Sequence, residues 1–289
     1  MSSDNILDKV KKLRELTGVG FKDCKLAIDE NGGDLEKSIE FLRKKGIAKA
    51  SKKMSRVASE GLVLTHEENG EMSIIEVNSE TDFVAKNKDF ISFCKEISEI
   101  SFKNKGDLEK TKVSVMKNKM SVTDNLTDLI SKIGEKITLR RIDFAGSDKY
   151  LNFSYTHSNI KKNVGKIGVL LSLESKLRNK DILEFGKKLA MHIAASSPLS
   201  IDREDLDKKI IDKEKEIITE ELKNSGKDSK IVDKIANGKL NKFIAENTLL
   251  NQQWIMEPKQ KVKNILKEFS GKDKIEIKQF IRFKVGEGL

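Results

Sequence analysis

Apolar residues recur along this chain with two periods, and the changes of period divide it. Ile6, Val10 and Leu13, with Leu7 and Leu16 beside them, keep helical spacing. Thr17-Gly18-Val19-Gly20 interrupts that stripe. Cys24, Ala27 and Ile28 make a second one, ended by Asn31-Gly32-Gly33. Asp34 is placed to cap a third helix carrying Leu35, Ile39 and Leu42. Gly46 stands where a helix stop belongs, and the basic, apolar-poor stretch 49–56 reads as a linker. Leu62-Val63-Leu64 and Ile74-Ile75-Glu76-Val77 flank Glu67-Glu68-Asn69-Gly70, which predicts a β-hairpin turning at Asn-Gly. A helix follows from about Lys88, with Phe90, Phe93, Cys94, Ile97 and Ile100 on one face. Residues 121–133 (Leu126, Leu129, Ile130, Ile133) predict another, stopped at Gly134, and 136–144 reads as a strand.

From 202 to 247 the pattern thins. Leu206, Ile210, Ile211, Ile217, Ile218 and Leu222 lie among many charges, and Ser225-Gly226-Lys227-Asp228 reads as a turn. Ile231, Val232, Ile235, Leu240 and Phe243 then resume the helical spacing. This predicts an antiparallel helical hairpin with a narrow apolar seam, which either projects into solvent or packs on a partner. Beyond Pro258, Val262, Ile265, Leu266 and Phe269 predict one more helix, and 275–285 a closing strand.

The middle of the chain repeats. Val77-Asn78-Ser79-Glu80 resembles Leu171-Ser172-Leu173-Glu174, Thr65-His66 resembles Thr156-His157, and the run from Asn87 to Lys95 resembles that from Asn179 to Lys187. Two copies of a hairpin-then-helix unit are therefore expected. Glu80 and Glu174 are 94 positions apart but Asn87 and Asn179 only 92, so the first copy has a longer strand-to-helix connector. That connector is Thr81-Asp82-Phe83-Val84-Ala85-Lys86, against Ser175-Lys176-Leu177-Arg178 in the second copy.

A length of 289 residues suggests about two domains. Charged residues make up 35% and the net charge is +10, but only eight of the 56 basic residues are arginine. Phosphate-clamping and base-reading surfaces lean on arginine, so a solvated surface is the plainer reading than a nucleic-acid footprint. No apolar run approaches the roughly eighteen residues of a membrane span, and the N-terminus lacks the pattern of a signal peptide. Cys24 and Cys94 have no CxxC spacing, which fits a reducing cytoplasm, and both sit on apolar helix faces where a buried, inert thiol is expected. There is no phosphate-binding G-x-x-x-x-G-K-[ST] motif, no H-E-x-x-H and no G-x-S-x-G. His192 lies on an Ala-rich helix and reads as a core histidine. No metal or cofactor site and no catalytic cluster is expected, which leaves protein recognition. Phe83, on the longer connector, is either tucked into its own core or offered to a partner, and residue type alone favours the core. Thr81-Asp82 could be a simple helix cap.

The stretch Glu76-Val77-Asn78-Ser79-Glu80-Thr81-Asp82-Phe83-Val84-Ala85-Lys86-Asn87 resembles a signature of the bacterial elongation factor Ts family. Residues 13–25, Ala190-Met191-His192-Ile193-Ala194-Ala195-Ser196, Met256-Glu257-Pro258 and Arg282-Phe283-Lys284-Val285-Gly286-Glu287-Gly288 are similar to further family motifs, in order, over essentially the whole chain. The resemblance implies an α+β protein. It has a ubiquitin-associated-like three-helix domain (1–48), a basic linker (49–58) and two related α+β core subdomains (59–145; 146–200 with 251–289). A helical hairpin (201–250) is inserted in the second. It implies a cytoplasmic guanine-nucleotide exchange factor for elongation factor Tu that is not an enzyme and needs no cofactor, nucleic acid or membrane. Thr81, Asp82, Phe83 and Val84 would enter the GTPase beside its magnesium and phosphate site. Lys11, Arg14, Phe21 and His157 match other partner-contacting positions, although one family member has two methionines where Phe21 and Lys22 stand here. His157 also reads as an ordinary polar residue at a strand end. The family often continues past Gly-Glu-Gly with a further helix, whose contact is expected to be missing here. The hairpin could mediate self-association. Rival readings are an RNA-binding module, an enzyme and a purely structural, self-associating protein.

Overall fold

The computed structural model describes residues 3–158, 160–223, 229–270 and 273–289. Three helices open the chain: α1 (Ser3–Thr17), α2 (Phe21–Glu30) and α3 (Leu35–Lys53). They enclose a small core of Val10, Leu13, Cys24, Ala27, Ile28 and Leu42. Asp34 caps α3 as expected, its Oδ1 accepting from the Lys37 amide at 3.0 Å. Gly46 does not end α3, and the helix continues to Lys53 through most of the stretch read as a linker. The reason is packing. Gly46 is buried and faces the later helix α7, where an added Cβ would meet the Ser131 hydroxyl at 2.5 Å. The glycine therefore serves a close helix crossing. Arg43 pairs with Asp124 of α7 at 2.9 Å, and Lys53 donates to the Gly134 carbonyl at the end of α7, where a cation is favoured.

The first repeat copy consists of β1 (Glu60–Glu68), β2 (Glu71–Ser79), α4 (Asp82–Ala85), α5 (Lys88–Lys103), α6 (Leu108–Val113), α7 (Val122–Ile133) and β3 (Ile137–Gly146). Asn69 and Gly70 both have positive φ, 51° and 77°, which is the backbone twist a two-residue hairpin needs. Asn87 caps α5, Ser121 caps α7, and Gly134 closes α7 at φ 86°. The second copy follows as β4 (Leu151–His157), β5 (Val164–Gly165), β6 (Ile167–Glu174) and α8 (Lys180–Ser196). After the hairpin α9 (Lys208–Lys223) and α10 (Ser229–Asn247), α11 (Val262–Ser270) and β7 (Glu276–Lys284) complete it. The expected turn at 225–228 lies outside the described residues. Ile218 and Leu222 are buried in the hairpin seam while Ile217 is 52% exposed. Its base is tied down by main-chain bonds from Leu199 to Asn247 and from Leu249 to Ser200.

Two antiparallel sheets result, in the orders β3-β2-β1-β5 and β4-β6-β7. They stack face to face and each carries helices on its outer side, so the protein is α+β with four layers. Both faces of the central strands are therefore covered, which is why their apolar runs are continuous rather than alternating. On β1, Leu62 and Leu64 pack outward with Phe90, Ile97 and Leu129, whereas Val63 joins Met72, Ile74, Leu170 and Phe283 between the sheets. On β6, Val169, Leu171 and Leu173 pack with Phe185, Leu189 and Trp254. Each large side chain buried in this way contributes about 1.5–3 kcal/mol. Neither the two-residue β5 nor the short α6 has an apolar period, and neither was legible in the sequence. His192 is fully buried, with Nε2 at 3.0 Å from Gln252 Oε1, while its Nδ1 accepts from the Ile255 amide at 3.3 Å. Burial lowers its pKa, so it stays neutral, as expected of a core histidine.

A carboxylate lies buried beside the layer between the sheets. Glu76 is completely buried on β2. Its Oε1 accepts from Asn78 Nδ2 (2.9 Å), Arg140 Nη1 (3.0 Å) and the Gly286 amide (2.8 Å), and its Oε2 from Arg141 Nε (2.6 Å). Arg140 also donates to the Glu287 carbonyl at 2.7 Å, and Arg141 lies 4.1 Å from the Phe283 ring centroid. The C-terminal Arg-Phe-Lys-Val-Gly-Glu-Gly segment thus straps the second sheet to the first. Gly286 is required there, because at φ 75° a Cβ would come within 2.3 Å of the Ser59 carbonyl. Burial pushes the Glu76 carboxyl up, but the Gly286 and Asn78 donors and then Arg141 outweigh it and hold its pKa below the usual value. A depressed folded pKa contributes stability above the unfolded carboxylate range that is lost as pH falls through it. Glu76→Gln is therefore expected to lose about 3 kcal/mol at pH 7. Its deficit against wild type, read from urea midpoints, is expected to shrink toward pH 3.

Candidate protein-interaction site

The longer connector of the first copy leaves β2 as a single helical turn, α4. Thr81 stands at its N-cap with extended backbone but makes no side-chain cap bond. Its amide instead donates to Glu135 Oε2 at 3.0 Å and its hydroxyl to Glu135 Oε1 at 2.8 Å. Glu80, just before it, accepts from the Lys136 amide at 2.6 Å and from Arg56 at 3.2 Å. The Lys136 ammonium bonds the carbonyls of Met54 (2.7 Å) and Arg56 (2.8 Å), which joins the segment after α3 to the same corner.

Val84 and Ala85 are buried in the first core, whereas Phe83 is 79% exposed. The reading from residue type alone, that Phe83 tucks into its own core, is overturned, and the exposed position is the one that the family resemblance implies. On one helical turn Phe83 cannot share the inward face that Val84 and Ala85 occupy. Asp82 bonds Lys86 at 2.8 Å, and this bond, with Coulombic support from Lys86 and from Lys166, holds its carboxyl below the usual value. The second copy does the opposite. Its four-residue connector forms no helix, Ser175 is buried, and Leu177 packs into the second core. The two extra residues of copy one thus turn an apolar side chain outward.

The remaining candidates sit elsewhere on the surface. Lys11 and Arg14 are exposed on α1, with Lys11 3.6 Å from Asp8, and Phe21 opens α2 at 42% exposure near the 61%-exposed Leu16 in sequence. His157 is exposed at the end of β4, its Nδ1 2.9 Å from the Tyr155 hydroxyl. Its carbonyl accepts from the Lys166 amide at 3.0 Å, and Lys166 pairs with Glu60 at 2.6 Å. Among the described residues no hydrogen bond or ion pair joins Lys11, Arg14, Phe21 or His157 to 81–84. Glu135 and Lys166 were missed by sequence reasoning. Glu135 carried one readable signal, its position between a helix-stopping Gly134 and the strand beside β2.

Cys94 is buried with its thiol pushed well up by burial, and Cys24 is buried and raised for the same first reason. Among the described residues, no group of three His, Cys, Asp or Glu could hold a metal ion, and no helix is long and apolar enough to cross a membrane. Residues 81–84 present to solvent an apolar ring beside a carboxylate held by Lys86. A family model described as elongation factor TS matches residues 80–287. Two curated proteins named Elongation factor Ts align along nearly the whole chain. That of Maricaulis maris (strain MCS10) is 40% identical over 286 residues, covering 97% of this chain and 91% of its own. That of Rickettsia prowazekii (strain Madrid E) is 42% identical over 283 residues, with the same shares. The chain belongs to the elongation factor Ts family, and so to the translation elongation factors of protein biosynthesis.

An exposed ring contributes little to the fold. Phe83→Ala is expected to change unfolding stability by less than about 0.5 kcal/mol. Val84→Ala, one residue on, is expected to cost about 1–2 kcal/mol through the space it empties. Urea titration of the two variants measures both.

Proposed function

We propose that this protein is a guanine-nucleotide exchange factor for elongation factor Tu and that residues 81–84 do the work. The observation that carries the reading is a large aromatic ring held out in water on a connector anchored at both sides of it. In a GTPase, GDP is held partly by a magnesium ion bridging its phosphates and the protein loops, and coordination at magnesium tolerates little displacement. Phe83 acts as a wedge that fills an apolar gap and moves the elements around that ion. Asp82 supplies directed hydrogen bonds that set the pose, and exchanging Lys86 for a partner donor makes it available. Thr81 and Val84 hold the wedge to its base. No bond in the nucleotide is made or broken, so the protein works by differential binding rather than as an enzyme.

Linkage supplies the direction. A factor that lowers GDP affinity has its own affinity lowered by GDP in the same ratio, so the ternary complex comes apart either way and excess GTP carries the cycle on. Lys11, Arg14 and Phe21 add contacts from the N-terminal helices and His157 from the end of β4. Any self-association falls to the α9–α10 hairpin and is separate from exchange. The reading implies a cytoplasmic protein.

Stopped-flow release of a fluorescent GDP from elongation factor Tu tests this. The wild type is expected to accelerate release, and Phe83→Ala to lose about thirtyfold of that acceleration, as for a buried aromatic anchor at an interface. Acceleration that survives the substitution would move the cause to other contacts. No acceleration by folded wild type would overturn the function.

A further inference from the structure

We propose that Glu135 is a positioning residue for exchange, its carboxylate fixing Thr81 and thereby the direction in which Phe83 leaves the surface. The inference rests on the exchange reading above. A single turn such as α4 has no stability of its own, because helix nucleation is unfavourable. Its N-cap side chain does not help, since the Thr81 hydroxyl is turned away from the α4 amides and donates to Glu135. The Thr81 amide goes to the other oxygen of the same carboxylate. Glu135 thus takes both donors of the N-cap residue, while the Thr81 carbonyl accepts from the Ser79 hydroxyl at 2.9 Å.

The device is reciprocal. The last residues paired between β2 and β3 are Ser79 and Ile137. One step further the two main chains no longer bond each other directly. Glu80 reaches across to accept from the Lys136 amide, and Glu135 reaches back to accept from the Thr81 amide. Two glutamates carry the ladder past the end of the sheet and hold the start of α4 in register with it. The second copy provides the internal comparison. There Glu174 is still inside the ladder opposite Glu276 and pairs with Lys278 at 3.1 Å, and the connector turns its apolar residue inward. The bridge occurs in the copy whose aromatic is exposed. Fixing an exposed ring in its binding pose before docking removes an ordering cost that would otherwise fall on the complex, and a misplaced wedge loses effect steeply.

Two variants separate geometry from charge. In Glu135→Gln the amide oxygen accepts from the Thr81 amide while its NH₂ donates to the Thr81 hydroxyl oxygen, so both bonds persist. In Glu135→Ala neither does. The first readout needs no partner: hydrogen exchange of the Lys86 and Asn87 amides, which bond the Phe83 and Val84 carbonyls at 3.1 and 2.9 Å. Glu135→Ala is expected to speed their exchange and Glu135→Gln to match wild type, with urea midpoints checking that all remain folded. Unchanged protection in Glu135→Ala would overturn the proposal whether or not the exchange function stands. The second readout is GDP release from elongation factor Tu. Glu135→Ala is expected to lose roughly tenfold of the acceleration, the effect of two lost hydrogen bonds, and Glu135→Gln to keep it. In a Phe83→Ala background Glu135→Ala is expected to add no further loss. Wild-type acceleration with equal acceleration by Glu135→Ala would overturn the positioning role alone. So would a full additional loss in the Phe83→Ala background, or a Glu135→Gln as impaired as Glu135→Ala.

Discussion

Water drives a phenylalanine ring toward any apolar surface within reach, and this chain keeps one such ring from collapsing onto its own core. Val84 and Ala85 occupy the inward face of a single helical turn, which leaves Phe83 nowhere inward to go. The turn itself is held by bonds from outside it, because four residues cannot hold themselves. Its position is therefore inherited from the frame behind it: the end of the β2–β3 ladder, the two glutamates that extend that ladder, and the segment after α3 that Lys136 and Arg56 bring to the same corner.

The frame is stiff for a different reason. Two sheets are stacked with helices outside both, so the central strands have no free face. A buried carboxylate on β2 draws two arginines of β3 and the C-terminal strap to one point. A buried ion pair is weak evidence for stability, and a well-packed apolar replacement could serve as well energetically. What Glu76 does is bond groups of β2, β3 and the strap after β7 at once in the alignment they adopt here. The same strand that carries Glu76 at its centre ends in the connector that presents Phe83, so the alignment of the sheets and the pose of the ring share one backbone.

Much of this was legible in the sequence because it rests on local signals. Asn69-Gly70 announces a hairpin, the matching runs from Asn87 and from Asn179 announce equivalent helices, and the change of offset from 94 to 92 is enough to locate the connector. Other features depended on neighbours that a linear reading does not supply. Gly46 looks like a helix stop until Ser131 is placed against it. Glu135 looks like any loop glutamate until β3 is laid beside β2. Phe83 looks like core by residue type alone, and only the family motif sets it outward until its two neighbours are seen to take the inward places. In the sequence Glu76 is only part of a motif, since nothing local says that Arg140, Arg141 and Gly286 converge on it.

On the proposed reading Phe83 itself enters the GTPase and competes, through linkage, with GDP. Photocrosslinking can show whether it does. Phe83 is replaced by a photoreactive phenylalanine, with Leu183 on the exposed side of α8 as the control position, and the crosslinks to elongation factor Tu are mapped by mass spectrometry. Position 83 is expected to crosslink to the nucleotide-binding domain, in a yield that falls as GDP is added, while position 183 gives no such GDP-sensitive product. A probe at 83 that crosslinks nowhere on elongation factor Tu, or whose yield is indifferent to GDP, would contradict the claim.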